Sequence, residues 1–429
     1  MSHNPGDAAA SAARAARNGL FVLTLVNMFN YVDRQVVSAL GETLTSERGL
    51  GLTDAQFGSL ASAFMVVYMA TSPIFGKLGD RMNRPKLLAA GVAIWSAFTA
   101  FGAFAWSFAT LFVFRAFVGV GEAAYGTISP AILSDYFKKD QRGRVFAIFS
   151  SAIPIGSALG YMLGGYVDVH WGWRAAFFVA GVPGFLLAIM AWRLLDPERG
   201  AQDDGYVAGH SVGAGHEPIL KSYRRLLRNG PYTLTILGYA AYTFALGGLV
   251  VFMPLFLERI RGLSKGDATI QFGAIVVVTG FVGTFAGGYL GDFMLKRSRQ
   301  AYLLLCGLST LLAVPFAAAA VLASDKATYF PAIIIAQLFL FASTGPVNSA
   351  IVNLVDPLER ATASALTIFT IHILGDVPSP YILGKISDGS NLGDAMLLVP
   401  IAIGISGVVW LAAAWAGSRR DIRLTESGR

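Results

Sequence analysis

RAFVGVGEAAYGTIS, residues 115–129, lies inside a longer apolar run that can cross a bilayer as a helix. At helical spacing, Arg115, Gly119, Glu122 and Gly126 follow at i, i+4, i+7 and i+11, so they share one face. A charge at membrane depth costs roughly 2.5–3.5 kcal/mol on insertion scales, so we expect this face to meet a partner or a wet cavity. The two glycines would let a neighbouring helix approach closely. A structural ion pair between two helices is the alternative interpretation.

The composition predicts a protein that crosses a membrane many times. Of the 429 residues, 55% are hydrophobic and only 14% are charged. A soluble chain of this length would carry more charge. Hydropathy gives twelve segments of about 20 residues each, and their approximate bounds are 19–41, 58–78, 87–106, 110–134, 144–167, 173–192, 232–257, 268–291, 301–323, 329–355, 363–386 and 394–416.

The formal net charge of +7 follows from membrane topology rather than from nucleic-acid binding. If both termini are cytoplasmic, 24 of the 33 Lys and Arg residues lie in cytoplasmic segments, seven lie outside, and two, Arg34 and Arg115, lie within spans. This bias is typical of an inner or plasma membrane protein. The one cysteine, Cys306, excludes an intramolecular disulfide.

Two repeated strings predict an internal duplication. GKLGD at 76–80 returns as GYLGD at 288–292, and YMLGGYVD at 161–168 returns as YILGKISD at 381–388. Two repeats in the same order indicate two copies of a six-span unit. We therefore predict an all-α membrane protein that comprises a cytoplasmic tail (1–18), a six-helix bundle (19–192), a cytoplasmic linker with an amphipathic helix (193–230), a second six-helix bundle (231–417) and a cytoplasmic tail (418–429).

The first span carries a polar stripe that is too extensive for a surface facing lipid. Asn27, Asn30 and Arg34 follow at i, i+3 and i+7, and Asp33 borders them. We predict that this helix lines a cavity. For the two asparagines, hydrogen bonding between helices is the alternative.

The loop after the second span, GKLGDRMNRPK at 76–86, has glycines that permit a tight turn. Its charged residues Asp80, Arg81 and Arg84 can form a network at the cytoplasmic surface. Asp135 begins a second charged loop after the fourth span. A short basic loop is an ordinary topology signal, but the partial repeat of this one after the eighth span favours a further role.

The second half carries fewer charges within its spans. His372 and Asp376 lie at i and i+4 of the eleventh span and share a face, and Asn348 lies in the tenth. His372 could be a proton-linked group or a hydrogen-bonded structural histidine. The sequence leaves both possibilities open.

The chain lacks the strings that would indicate an enzyme or an ATP-driven pump. It contains no HExxH, GxSxG or GxxxxGK[ST] sequence. We predict no catalytic residue, no metal site and no cofactor. A signalling receptor is a remaining alternative, although it would not require the duplicated loops.

The pattern of six plus six spans, with GKLGDRMNRPK after the second and RAFVGVG in the fourth, resembles the major facilitator superfamily over residues 19–417. Three further strings resemble the Spinster lipid transporters, namely NYVDR at 30–34, GVGEAAYGTISP at 119–130 and AIPIGSALGYMLGG at 152–165.

The resemblance implies alternating access, in which the two halves rock around a central cavity. It implies proton-coupled transport of an amphiphilic anionic lipid, either a lysophospholipid or a lipid like sphingosine phosphate. Asp33 and Glu122 would couple protons, with Arg34 and Arg115 as their partners or as contacts for the headgroup. Further candidate substrate contacts are Asn30, Asn348, His372 and Asp376, and the cytoplasmic gate would comprise Gly76, Asp80, Arg81, Arg84 and Asp135.

Transport of small organic anions is the alternative, because organic-anion members of the superfamily carry strings similar to NYVDR. The expected partners are the substrate, protons and membrane lipids, with no nucleic acid. We expect a monomer.

Overall fold

The computed structural model describes residues 5–137, 139–199, 202, 219–355 and 360–427. The regular elements within these ranges are all helical. They are α1 (Pro5–Ala39), α2 (Gly41–Thr45), α3 (Asp54–Arg81), α4 (Arg84–Gly102), α5 (Phe108–Tyr136), α6 (Lys139–Trp171), α7 (Trp173–Trp192), α8 (Ile219–Leu227), α9 (Gly230–Arg259), α10 (Lys265–Leu295), α11 (Ala301–Leu322), α12 (Lys326–Phe341), α13 (Thr344–Asn353), α14 (Arg360–Ile371), a π-helical turn (His372–Asp376), α15 (Pro378–Gly389), α16 (Leu392–Met396) and α17 (Leu398–Ser427).

Eleven helical segments in the described ranges are long and apolar enough to cross a membrane. The remaining predicted span is α1, whose polar stripe lowers its mean hydropathy. The tenth span consists of α12 and α13, and the eleventh continues from α14 through the π-helical turn into α15. The predicted all-α membrane fold is thereby confirmed.

The chain divides into two compact units. Unit 1 comprises Met1–Leu52, Ala63–Gly213 and Lys265–Gly273, and unit 2 comprises Thr53–Ser62, Ala214–Ser264 and Ala274–Arg429. The first turns of α3 therefore belong to unit 2, and the first turns of α10 belong to unit 1. Sequence order alone would have placed each of these short segments in the other unit.

Most of the predicted linker lies outside the described residues. Its amphipathic helix corresponds to α8, where Leu226 is buried while Arg224 and Arg225 are exposed. Leu227, which the helical pattern places on the apolar face, is instead exposed.

Small residues set the helix packing in unit 1. Gly156, Gly160 and Gly164 form a stripe along α6, and a Cβ at the first two would lie 2.3 and 2.6 Å from the backbone oxygens of Met28 and Val32. No larger side chain fits there, so α6 packs directly on α1, as the small-residue spacing predicts.

An aromatic and aliphatic core holds α1, α4 and α5 together. Leu23, Val118 and Trp95 are fully or almost fully buried in it, and the rings of Trp95 and Tyr125 meet edge to face at 5.6 Å. The hydroxyl of Tyr125 donates a hydrogen bond to the carbonyl oxygen of Leu23 at 3.2 Å. This packing brings the polar stripe of α1 to the charged face of α5.

Unit 2 has a comparable core around Trp410 of α17. Its indole nitrogen donates to the carbonyl oxygen of Thr235 on α9 at 3.1 Å, and its ring lies 5.5 Å from that of Tyr242. A Cβ at Gly238 would lie 2.6 Å from the indole ring, so the glycine makes room for Trp410.

Candidate functional site

Two ion pairs join α1 to α5 inside unit 1. Arg115 Nη1 donates to Asp33 Oδ2 at 3.1 Å, and Arg34 Nε donates to Glu122 Oε2 at 2.8 Å. Each helix contributes one acid and one arginine. The two residues from α1 are adjacent in the chain, whereas the two from α5 lie two helical turns apart. The structure thus brings together the four intramembrane charges that the sequence singled out.

The pair of Asp33 and Arg115 is closed off from solvent. Their side chains are 1% and 4% exposed. The second carboxylate oxygen of Asp33, Oδ1, accepts a hydrogen bond from Thr99 Oγ1 on α4 at 2.7 Å. A buried pair with this additional hydrogen bond can hold three helices together, because separating it would leave a charge unpaired.

The pair of Arg34 and Glu122 is more open on one side. Glu122 is fully buried, whereas the Arg34 side chain is 21% exposed. Both Nε and Nη2 of the arginine contact the same oxygen of Glu122, each at 2.8 Å. The other oxygen, Oε1, has no hydrogen-bond partner.

Aromatic rings surround the guanidinium of Arg34. Its Cζ lies 5.1 Å from the ring centre of Tyr31, 4.8 Å from that of Phe64 and 5.5 Å from that of Tyr68. These distances are within the range of cation–π attraction. The phenylalanine ring also lies 5.5 Å from the Cζ of Arg115, so it contacts both arginines.

Glycines of α5 allow α3 to bring these rings close. A Cβ at Gly119 would lie 2.5 Å from the carbonyl oxygen of Phe64, and one at Gly126 would lie 2.5 Å from the hydroxyl of Tyr68. The close approach expected from the shared glycine face is confirmed, and the approaching helix is α3.

The two asparagines of the α1 stripe differ in their surroundings. Asn27 Nδ2 donates to the carbonyl oxygen of Phe149 on α6 at 2.9 Å, which is the hydrogen bonding between helices considered above. Asn30 is buried beside Glu122. Asn30 Nδ2 nevertheless has no partner at hydrogen-bond geometry. Its amide still interacts with the carboxylate of Glu122, whose Oε1 lacks a partner by the same criterion.

A second charged cluster lies at the junction of α3 and α4. Arg84 is buried, donates to Asp135, and reaches Asp196 Oδ1 with its Nε at 2.8 Å. It also donates to the carbonyl oxygen of Pro197. The cluster fastens the segment after α7 to the ends of α4 and α5.

The other residues of the predicted gate have different surroundings. Arg81 is exposed, and Gly76 lies near Thr127, to which a Cβ would come no closer than 3.6 Å. The side chain of Asp80 lies outside what the structure describes. Arg199, which the sequence did not single out, donates to the carbonyl oxygens of Gly79 and Met82 at 2.8 and 2.9 Å, near the end of α3.

In unit 2, His372 and Asp376 are brought together at the two ends of the π-helical turn. His372 Nδ1 lies 2.9 Å from Asp376 Oδ1, and both side chains are partly exposed. A π-helical turn within a longer helix is frequent at functional sites. Asn348 is exposed, and its Nδ2 donates to the carbonyl oxygen of Thr344 within its own helix.

A further cluster in unit 2 surrounds the first residue of α3. The carboxylate of Asp54 accepts from Arg259 Nη1 at 2.8 and 3.1 Å and from the hydroxyl of Ser387. In turn, the carboxylate of Asp388 accepts from the backbone nitrogens of Asp54 and Ala55 at 2.7 and 3.0 Å. Asp388 thus caps the start of α3 from the end of α15.

Sequence reasoning missed several of these contacts. Thr99, Tyr68 and Asp196 lie far along the chain from their partners, so no helical spacing could connect them. The final aspartates of the repeated strings were a usable signal. Asp388 caps α3, and its counterpart Asp168 accepts a hydrogen bond from Thr43 at 2.7 Å. Among the described residues, no group of three or more His, Cys, Asp or Glu side chains could hold a metal ion.

Comparison with known proteins places this site in a family context. Residues 23–380 match the profile of the Major Facilitator Superfamily. The chain is 33% identical over 381 residues to Protein spinster of Drosophila melanogaster; the match covers 86% of this chain and 61% of the fly protein, less than two thirds of its length. It is also 33% identical over 426 residues to the sphingosine-1-phosphate transporter SPNS2 of Mus musculus, covering 92% of this chain and 76% of that protein.

A solved structure has the same fold. It is the crystal structure of a bacterial homologue of the human lysosomal transporter Spinster, in an inward-facing and unoccupied conformation. The TM-score is 0.83, and the match covers 94% of this chain and 97% of that one at 23% identity. At this identity the likeness establishes the fold, which is that of a multi-pass membrane transporter.

Proposed function

We propose a lipid-transport function from the premise that this chain belongs to the Major Facilitator Superfamily and, within it, to the Spinster transporters. The proposed substrate is an amphiphilic anionic lipid, either a lysophospholipid or a lipid like sphingosine phosphate. Transport is coupled to protons and proceeds by rocking of the two halves. The protein resides in the inner or plasma membrane with both termini in the cytoplasm.

The partly exposed side chain of Arg34 is the observation that carries the proposal. Among the four intramembrane charges of the site, Arg34 alone has a side chain more than 4% exposed. A cation at membrane depth that is held by a carboxylate and is still partly exposed can exchange that carboxylate for the phosphate of a substrate. Arginine suits this role because its planar fork matches phosphate geometry.

The same ion pair supports the proposed proton coupling. Glu122 is fully buried, so its charge is tolerated because Arg34 lies against it. When a phosphate draws the arginine away, the carboxylate loses its partner, and a proton can neutralise it. Binding of an anion and binding of a proton then favour each other, because linkage is reciprocal.

We propose that the pair of Asp33 and Arg115 mainly supports the structure of the site. Their closed pair and the hydrogen bond from Thr99 hold α1, α4 and α5 in register around Arg34. Protonation of Asp33 would release Arg115, so this pair can respond to protons at a later stage of the cycle.

An amphiphilic substrate is supported by the relatives. The mouse protein is named as a transporter of sphingosine-1-phosphate, which joins a phosphate to an apolar chain. In this chain the aromatic rings around Arg34 supply apolar surface directly beside the cation. A small organic acid would need the cation but would gain less from the rings.

The cytoplasmic gate is proposed to depend on Arg84, which reaches Asp135 and Asp196. By tying the segment after α7 to the ends of α4 and α5, this arginine would make the cytoplasmic ends of unit 1 move as one piece. Arg81 is exposed and so remains available for contacts made only in another state of the cycle.

Uptake into liposomes tests the proposal. The purified protein would be reconstituted, and uptake of lysophospholipids, sphingosine-1-phosphate and short-chain carboxylates would be measured with and without a pH gradient. We expect lipid uptake that the gradient accelerates and that Arg34→Ala abolishes. Arg193→Ala, which removes an exposed arginine outside the site, serves as the matched control. Uptake of the carboxylates alone would reject the lipid assignment.

A further inference from the structure

One face of α8 is basic. Four cations share it at helical spacing, with the last in the turn that follows the helix: Lys221, Arg224, Arg225 and Arg228. All four side chains are exposed. Residues 219–229 contain no acidic residue, so the segment contributes positive charge only. These four residues form what we call the basic face of α8.

An apolar side chain lies beside the basic face. Leu227 is 48% exposed, whereas its neighbour Leu226 is 2% exposed. Leu227 follows Arg224 by three residues, so the two side chains are neighbours on the helix surface. An exposed leucine at the border of a cluster of cations suits the boundary between lipid headgroups and acyl chains, where both kinds of side chain find a partner.

Hydrogen bonds fix the orientation of α8 within unit 2. Asn229 Nδ2 donates to the carbonyl oxygen of Leu354, at the end of α13, at 2.8 Å. Thr233 Oγ1 on α9 donates to the carbonyl oxygen of Leu227 at 2.9 Å. Because Leu226 is also buried, the helix cannot turn about its axis, and the basic face stays exposed.

The depth of α8 follows from the packing of α9 on α17. These helices are the seventh and twelfth spans, so they run in opposite directions through the membrane. Trp410 of α17 lies level with Thr235 of α9, whose carbonyl oxygen accepts from its indole nitrogen. Trp415 lies five residues further along α17, and Gly230, where α9 begins, lies five residues back along α9. Both steps cover about 7.5 Å in the same direction.

Trp415 marks the level of the lipid headgroups. The side chain is 59% exposed, and Arg419 Cζ lies 3.8 Å from its ring centre. An exposed tryptophan with an arginine near the end of a span is typical of the interface between membrane and water. Because α8 ends three residues before Gly230, it lies close to this level.

We propose that the basic face of α8 binds anionic headgroups of the surrounding bilayer. Their phosphates pair with the exposed arginines, and Leu227 lies against the acyl chains. Charge complementarity favours lipids with a net negative charge, because a zwitterionic headgroup brings its own cation to the site. These lipids are components of the bilayer and not transported substrate, so the inference goes beyond the proposed function and does not depend on it.

Hydrogen exchange of the whole protein in nanodiscs tests the proposal. Nanodiscs of phosphatidylcholine alone would be compared with nanodiscs that contain equal parts of phosphatidylcholine and phosphatidylglycerol with the same acyl chains. We expect residues 219–229 to exchange at least about tenfold more slowly in the anionic nanodiscs, because bound lipid opposes opening of the helix. High salt should remove the difference by screening the charges.

Removing cations from the basic face should abolish the dependence on lipid. The triple variant Arg224→Gln/Arg225→Gln/Arg228→Gln should bring the exchange rates of residues 219–229 in the two kinds of nanodisc to within about twofold of each other. Unchanged exchange in α17 would establish that the variant is folded.

A second triple variant serves as the charge-matched control. Lys296→Gln/Arg297→Gln/Arg299→Gln removes three exposed cations that follow α10. Both variants lose three positive charges, so the net charge of the protein cannot account for a difference between them. The control should keep the wild-type slowing of exchange at residues 219–229.

The results that would overturn the inference are specific. Equal exchange of residues 219–229 in the two kinds of nanodisc would reject lipid as the partner and leave an acidic protein as the occupant of the basic face. Slowing by the anionic lipid that survives in the arginine variant, or that is lost equally in the control, would also contradict it. Transport is not measured in this experiment, so its outcome is independent of the proposed function.

Discussion

Asp33 and Arg34 are neighbours in α1, yet each pairs with a different residue of α5. The carboxylate of Asp33 accepts from Arg115 at 3.1 Å, and the guanidinium of Arg34 donates to Glu122 at 2.8 Å. Because adjacent residues of a helix point about 100° apart, the two pairs occupy different environments. Both side chains of the first pair are buried, whereas the Arg34 side chain of the second is partly exposed. We therefore assign structural support mainly to the first and substrate exchange to the second.

Loss of Arg115 should destabilise the protein more than it changes headgroup affinity. Arg115→Gln leaves Asp33 almost fully buried with only the hydroxyl of Thr99 as a partner. Breaking a buried pair in this way costs about 3–5 kcal/mol. Thermal unfolding in detergent would measure the loss, and adding Asp33→Asn to Arg115→Gln should restore most of it. A double variant no more stable than Arg115→Gln alone would contradict the assignment.

Glu122→Gln should make the conformational equilibrium much less sensitive to pH. The amide mimics the protonated acid and cannot hold Arg34 with a full charge. The charged groups that interact with Glu122 are Arg34, Asp33 and Arg115, so Asp33→Asn would be measured beside it. Spin-label distances between the two halves would be recorded at several pH values. If both variants kept the wild-type pH response, neither carboxylate would be the coupling group.

Arg84 and Arg81 should differ sharply although they lie three residues apart. Arg84→Gln removes ion pairs with Asp135 and Asp196, while Arg81→Gln removes an exposed side chain. We expect Arg84→Gln to lower the free energy of local opening of residues 193–199 by about 1–3 kcal/mol. Arg81→Gln should leave that free energy unchanged. Hydrogen exchange of that segment gives the measurement. Equal hydrogen-exchange rates of this segment in the two variants would contradict an anchoring role for Arg84.

Asp388→Ala should free the start of α3. The variant loses the two hydrogen bonds to the backbone nitrogens of Asp54 and Ala55. A lost N-terminal cap costs about 0.5–2 kcal/mol, so hydrogen exchange of residues 53–62 should accelerate. Asp325→Ala is the matched control, because Asp325 caps α12 through the backbone nitrogen of Thr328. Unchanged exchange at residues 53–62 in Asp388→Ala would argue against the cap.

The predicted topology is tested by cysteine labelling in intact cells. In a Cys306→Ser background, Arg228→Cys in the linker should be unreactive toward an impermeant reagent, whereas Glu47→Cys in the first loop should react. Both native side chains are exposed in the structure. The side of the membrane on which each position lies therefore decides whether it reacts. Labelling of Arg228→Cys by the impermeant reagent would show that the predicted orientation is wrong.

Sequence predicted the parts of this site that depend on a single helix. The face shared by Arg115, Gly119, Glu122 and Gly126 follows from helical spacing, and so does the stripe that contains Arg34. The spacing of the small residues in α6 has the same local origin and suits its close packing on α1. Each of these features has a local cause in the helix period.

What sequence could not predict is which residues meet between helices. Charge complementarity allows only Asp33 with Arg115 and Arg34 with Glu122 once α1 and α5 meet, but nothing in the spacing indicates that these two helices meet at these residues. The rings of Phe64 and Tyr68 belong to an ordinary apolar helix and become part of the site because glycines of α5 admit them. Side-chain packing between segments far apart in the chain decides these contacts.

Proton movement driven by lipid tests most directly whether Arg34 and Glu122 couple an anionic headgroup to protons. Proteoliposomes containing a trapped pH indicator would receive a lysophospholipid gradient with no imposed pH gradient. We predict that the wild type moves protons when lipid moves, and that Glu122→Gln transports lipid without a change in internal pH. Lipid movement by the wild type that leaves the indicator unchanged, or proton movement that persists in Glu122→Gln, would contradict the central claim.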